Sequence, residues 1–257
     1  MQDMNLEAIF IGCITGFLSA FFGIGGSSID TPVLRTFLNL PPLVALGTPL
    51  PLTILTAAIA SFAYKREHLV NFRVAVYSII AGVPGMILGS YLTAYLSGKF
   101  LMLLTAVVLC LVGIDFIIKT FKEKTHTMKK PFSQPPVYYI VSVAAAIGIL
   151  SGVLANGGGL FFVPAYVILF RIKIKEAIAT SLLTVIAMAL PGSIIHYHLG
   201  HIDLRISASM ALGVIPMAYL GAKLDIKTKS KTIMILFGVV MVVFSTYFFI
   251  NQIRALP

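Results

Sequence analysis

The sequence predicts an all-α polytopic membrane protein of two inverted repeats, each a broken helical hairpin followed by three transmembrane helices. Three observations carry that prediction. The chain has 257 residues, of which 58% are hydrophobic and only 11% charged. A water-facing domain carries about 25% charged residues, so lipid must be the solvent here. The apolar segments repeat at a fixed offset, and the basic residues gather in alternate loops.

The offset is 132 residues, without a gap. It superposes Gly16 on Gly148, Ser19 on Ser151, Gly25 and Gly26 on Gly157 and Gly158, and Pro32 on Pro164. Further along it superposes Thr48 on Thr180, Arg73 on Arg205, Pro84 on Pro216 and Gly89 on Gly221. A register that favours Gly, Pro, Thr and Arg together marks duplication rather than shared greasiness. The halves span residues 6–121 and 138–250, joined by a basic linker over 122–137.

Each half holds five apolar pieces, taken in order as 6–23, 28–39, 43–64, 73–96 and 100–119, then 138–155, 160–170, 176–196, 205–222 and 232–250. The second piece of each half is well short of the roughly 20 residues a spanning helix needs. The first two pieces therefore form a hairpin broken at glycines, which starts and ends on one side, either crossing fully or re-entering. Three crossings follow, and an odd number inverts the second half. Charge agrees with this. With the N-terminus outside, the loops falling inside are 65–73, 119–130, 171–175 and 223–231, and they hold 15 of the 19 Lys and Arg. That is the positive-inside pattern, with both termini outside. The same distribution explains the net charge of +10 without nucleic acid as a partner. The first residues, "MQDMNLEAIF", lack the basic start of a signal peptide and read as the first segment itself. Cys13 and Cys110 sit inside apolar pieces and imply neither disulfide nor metal.

The breaks are "GIGGSSIDTP" at 23–32 and "NGGGLFFVP" at 156–164. Backbone that leaves a helix within a membrane must line a cavity or be buried in protein. Glycine admits a solute close to the main chain, and each following helix starts with unpaired N–H groups and a partial positive charge, which suit an anion. Inverted repeats would bring the two breaks together from opposite faces, as transporters do. The candidate substrate-binding set is Gly25, Gly26, Ser27, Ser28, Asn156, Gly157, Gly158 and Gly159. Thr48, Thr180 and Ser181, near the starts of the third long helices, are positioned to add hydroxyl donors. Close helix packing by small residues is the alternative for the glycines, and a helix cap is the alternative for the threonines. No Lys follows the glycines and no strand precedes them, so a phosphate-binding loop is not supported.

"GFLSAFFGIGGSSIDTP" with "ALGTPL", and "ILSGVLANGGGLFFVP" with "AIATSLL", resemble the TauE/SafE sulfite exporter family over nearly the whole chain. The resemblance implies secondary transport of a small sulfur oxyanion or organosulfonate across a prokaryotic inner membrane, without a cofactor. Ser27, Ser28 and Asp30 depart from that family's more glycine-rich pattern.

Asp30 and Asp115 are the acids read within apolar pieces, and Asp30 beside the first break is the candidate proton carrier. Pairing with Arg35 is its structural alternative, and a salt bridge to Lys119 is expected for Asp115. His196, His198 and His201 are placed in an outer loop. Their spacing and the absence of a completing acid or thiol argue against a metal site. No nucleophile–base pair or metal constellation supports a membrane enzyme, and none is expected. An anion channel and a carboxylate transporter use the same features and stay open as alternatives. Oligomeric state is not legible.

Overall fold

The computed structural model describes residues 2–64, 69–122 and 135–254, which form eleven helices and no strand. They are α1 (Gln2–Phe22), α2 (Ser27–Phe37), α3 (Pro42–Gly47), α4 (Pro49–Tyr64), α5 (Phe72–Thr93), α6 (Gly98–Lys122), α7 (Val137–Val153), α8 (Gly159–Ile168), α9 (Ile174–His198), α10 (Leu204–Lys227) and α11 (Ser230–Arg254). Six stretches are long and apolar enough to cross a membrane: Pro42–Tyr64, Phe72–Thr93, Gly98–Ile118, Ile174–His198, Leu204–Lys227 and Ser230–Ile253. This is an all-α polytopic membrane protein. The 11 residues of α2 and the 10 of α8 reach only about half of a hydrocarbon core of roughly 30 Å.

Helix partners repeat between the halves. α1 packs along α10 and α5 along α7, and the sequence offset exchanges these two pairs. It likewise exchanges α4·α10 with α9·α5, while α4·α9 and α6·α11 map onto themselves. Glycine lets the paired backbones touch. A Cβ on Gly12, Gly213 or Gly221 would overlap the carbonyls of Met210, Ile9 and Phe17, respectively. On the other side a Cβ on Gly148, Gly152 or Gly89 would overlap those of Gly82, Met86 and Ile149. Between apolar helices in lipid such close van der Waals contact replaces the missing hydrophobic drive. The outer surface carries exposed side chains such as Leu88, Leu111, Leu212 and Val243, as a lipid-facing surface should.

Three expected boundaries shift. The third piece of the first half divides into α3 and α4, because Pro49 and Pro51 lack the N–H groups that would bond back across Thr48. Their mates in α9 are Ser181 and Leu183, and α9 runs unbroken for 25 residues. That helix also extends past the expected end, so His196 and His198 are helical and only His201 lies in the loop. Finally, α10 continues to Lys227, which places Asp225 inside a helix rather than in a basic loop. The basic loop residues 65–68 and most of the linker, 123–134, lie outside the described residues.

Candidate functional site

The two breaks have the same backbone. Left-handed φ values occur at Gly23 (69°), Gly25 (84°) and Gly26 (121°), and at their mates Ala155 (47°), Gly157 (67°) and Gly158 (100°). Five of these six are glycine because a Cβ is strongly disfavoured there. Each preceding helix closes in one way: Ile24 N–H donates to Ser19 O at 3.1 Å, and Asn156 N–H donates to Ser151 O at 2.9 Å. The chain then turns into α2 or α8.

The structure brings the breaks into direct contact. Ser27 Oγ donates to Asn156 O at 2.6 Å, and Ser28 Oγ donates to Asn156 Oδ1 at 2.7 Å. The reciprocal contact, between Gly159 and the carbonyl of Ile24, is so close that a Cβ on Gly159 would overlap it. Ser27, Ser28 and Asn156 are all buried. With Oδ1 occupied by a hydroxyl, Asn156 offers its NH2 as the remaining donor. Ser181 also reaches the first break, its hydroxyl donating to Gly23 O at 3.0 Å.

Thr48 and Thr180 are not brought to these serines. Thr48 Oγ1 accepts the backbone N–H of Asp203 at 3.0 Å, and Thr180 Oγ1 accepts that of Asn71 at 2.9 Å. Asn71 and Asp203 are N-caps, of α5 and α10, and are themselves one offset apart. The threonine hydroxyls therefore tie each central helix to the start of a helix from the opposite pair, as a cap would.

Asp30 is buried, with Oδ1 unpartnered. Its Oδ2 lies 3.1 Å from where a Cβ on Gly26 would stand, with the hydroxyls of Thr53 and Thr56 at 3.6 and 3.7 Å from that point. The contact found for Arg35 is instead with the chain just beyond α2, its Nη1 donating to Leu40 O at 2.8 Å. The expected bridge from Asp115 to Lys119 involves a side chain outside those described. Among the described residues no three His, Cys, Asp or Glu gather as metal ligands.

A family model described as "Sulfite exporter TauE/SafE" matches residues 8–248. This chain belongs to the TauE/SafE family. It is similar to "Probable membrane transporter protein YunE" of Bacillus subtilis, at 25% identity over 254 residues, covering 91% of this chain and 93% of that one. It is also similar to "Probable membrane transporter protein YdhB" of the same organism, at 28% identity over 219 residues and 84% and 88% coverage. A "Probable membrane transporter protein" of Methanocaldococcus jannaschii is 25% identical over 249 residues, with 91% of each chain covered. No solved structure matches. The protein is a multi-pass membrane transporter, not an enzyme.

In this TauE/SafE transporter the sequence reading missed Thr53 and Thr56. Thr53 Oγ1 accepts the N–H of Ser27 at 3.2 Å, one of the helix-start donors that α2 cannot satisfy internally. The offset held the clue: the mates of Thr53 and Thr56 are Val185 and Met188, and those of Ser28 and Asp30 are Leu160 and Phe162. Equivalent positions are thus polar in the first half and apolar in the second. Val185 lies against Gly25, and Met188 and Phe162 against Gly158. The breaks are thus lined unequally, with the hydroxyls of Thr53 and Thr56 near Gly26 and the apolar side chains of Val185, Met188 and Phe162 near Gly25 and Gly158.

Proposed function

We propose that this protein is a secondary transporter of a small anion, a sulfur oxyanion or organosulfonate, that binds where the two glycine-rich breaks meet. The carrying observation is the contact of Ser27 and Ser28 with Asn156 across the breaks. It brings the Asn156 NH2 and the helix-start N–H groups of both breaks to one buried place, with serine hydroxyls that an arriving anion would draw away from Asn156. Neutral donors suit an anion that must also leave again. The proposed contacts are Gly25, Gly26, Ser27, Ser28, Ser181, Asn156, Gly157, Gly158 and Gly159. Thr53 and Thr56 add hydroxyls beside Gly26, and the apolar side chains of Val185, Met188 and Phe162 would receive the organic part of a sulfonate. Thr48 and Thr180 hold the helix starts.

The two halves act as inverted repeats that rock about this point, which the exchange of helix partners between them supports. The proposed setting is a prokaryotic inner membrane with both termini outside. Asp30 would carry a coupling proton beside the anion. A carboxylate there adds a second negative charge to a buried site, whereas its protonated form adds a donor.

The test is flux into proteoliposomes of the purified protein, using labelled sulfite, small sulfonates and small carboxylates, with and without a pH gradient. Saturable flux of a sulfur oxyanion, lost in Gly157→Leu, is the expected result. Flux of carboxylates alone would overturn the substrate class. Normal flux in folded Gly157→Leu and Gly26→Leu would overturn the site.

A further inference from the structure

We propose that Asp225, with Tyr64, is a proton-binding site of this transporter, separate from Asp30 and placed at the inner end of α4 and α10. The assignment of that end as cytoplasmic, and of the proton to coupling, rests on the transport reading above.

Asp225 is 0% exposed and Tyr64 1% exposed. The Tyr64 hydroxyl donates to Asp225 Oδ2, while Oδ1 is buried without any partner. One oxygen is therefore satisfied as an acceptor, and the other has no donor to receive. A carboxylic acid satisfies this arrangement better than a carboxylate, because its second oxygen can carry a proton and donate it.

The surroundings supply acceptors. The mate of Asp225 in the first half is Thr93, whose hydroxyl reaches Gly152 O at 3.3 Å and Val153 O at 3.1 Å, at the end of α7. The mates of those two carbonyls are Ala20 and Phe21, at the end of α1. Phe17 and Gly221 touch through the Phe17 carbonyl, and Phe21 and Asp225 are each one turn further along their helices. Where Thr93 in the first half presents a neutral hydroxyl to the end of α7, the equivalence places the carboxyl of Asp225 toward the end of α1. Helix C-termini leave carbonyls unbonded and carry partial negative charge, and Asp225 is also in the last turn of its own helix. All of these favour a group that donates.

The charged and titratable groups around it are few. α4 contributes Tyr64. α9 contributes Lys175, whose Nζ donates to Ile226 O at 2.5 Å rather than to the carboxyl. On α10 itself, Lys223 lies over the Tyr219 ring at 4.4 Å and Lys227 is in the last turn. Over Gly12–Phe22, α1 offers only Cys13. The loop residues Lys65, Arg66, Glu67 and His68 lie outside those described.

Tyr64 links this group to the breaks. It stands eleven residues after Thr53 on the same buried face of α4, three turns and about 16 Å along one rigid helix. Proton loss passes H⁺ from the Asp225 carboxyl to water at the inner end and leaves a carboxylate held by Tyr64 alone. The ionised group repels the end of α1, which leads directly into the first break. Loading or unloading the proton thereby moves the same helices that frame the anion site.

The experiment is infrared difference spectroscopy of the purified full-length protein between acidic and alkaline buffer. A component of the protonated-acid C=O band is expected in the wild type and lost in Asp225→Asn. In Tyr64→Phe it moves to higher frequency, because the carboxyl loses a hydrogen-bond donor. An acid band unchanged in both variants overturns the proposal. In proteoliposomes, Asp225→Asn should still exchange labelled for unlabelled sulfite at equal pH, but lose all acceleration by an imposed pH gradient. Acceleration equal to wild type overturns the coupling role. If the wild type moves none of the anions while the band still depends on Asp225, the proton site stands and the anion reading falls.

Discussion

The bond between Ser28 and Asn156 is the sharpest test of how the two halves meet. Ser28→Ala removes the donor that serves Asn156 Oδ1 at 2.7 Å and leaves only the longer Ser27 contact of 3.4 Å. Hydrogen bonds between helices in lipid are worth about 0.6 kcal/mol on average and up to about 1.7. This one lies toward the upper end, because an orphaned buried acceptor costs about 1–3 kcal/mol. We therefore expect Ser28→Ala and Asn156→Ala each to cost about 1–2 kcal/mol. The double variant should cost less than the sum, with a coupling near 1 kcal/mol, as for residues in direct contact. For a chain of this size each kcal/mol moves the melting temperature by about 2–4 °C. The assay is thermal unfolding in detergent of the wild type, both single variants and the double. Strict additivity, with coupling under about 0.3 kcal/mol, would show that the breaks do not support each other through this pair.

Four further predictions follow from neighbouring contacts. Gly26→Ala forces a side chain into φ 121° with its Cβ 3.1 Å from Asp30 Oδ2, at a cost of about 1–3 kcal/mol. Anion flux should fall, while Gly200→Ala, at a left-handed turn with open space around it, should leave flux intact; equal effects would refute a local role. Thr48→Val and Thr180→Val should each lower the melting temperature by a few degrees, since losing a capping oxygen costs about 1 kcal/mol, without weakening anion affinity. A tenfold loss of affinity would return both hydroxyls to the binding site. His201, desolvated beside His196 with the two Nδ1 atoms 3.2 Å apart, has its pKa pushed below the ordinary 6.5. The unfolded chain then takes up that proton first, so stability is full above about pH 6.5 and declines below it. His201→Gln should flatten the acid limb of the melting curve, and an unchanged limb would assign it to other groups. Asp30→Asn should remove the pH dependence of flux, and a profile like that of the wild type would take Asp30 out of coupling.

Much of the site was legible because the relevant signals are local. Gly23, Gly25 and Gly26, with Gly157 and Gly158, had to be glycine for the left-handed turns they make, and a break in an apolar run is visible without coordinates. Asn156 and the two serines stood out as the polar residues at those breaks. The histidines stood out too, but the contact of His196 with His201 did not. Spacing of five residues does not suggest contact, yet Gly200 reverses the chain and His201 N–H returns to His196 O at 2.9 Å. Asp225 was hidden by its basic neighbours, which look like loop residues although α10 carries them for another turn. Thr53 went unmarked, since nothing in its own neighbourhood in the sequence distinguishes it.

The sequence by itself determined the solvent, the helices, the positions of the two breaks and the offset that relates the halves. Hydropathy, helical period and the steric needs of glycine and proline each act within a few residues, so they can be read along a line. Only the tertiary structure decided that Ser28 meets Asn156, that Tyr64 meets Asp225, and that Thr48 and Thr180 bond to helix starts instead of to each other. Those partners are separated by 128, 161, 155 and 109 residues. The repeat tells which residues are equivalent, but not which are neighbours. Neighbours are chosen by the packing of glycine-faced helices, α1 on α10 and α5 on α7, and that choice involves the whole bundle at once.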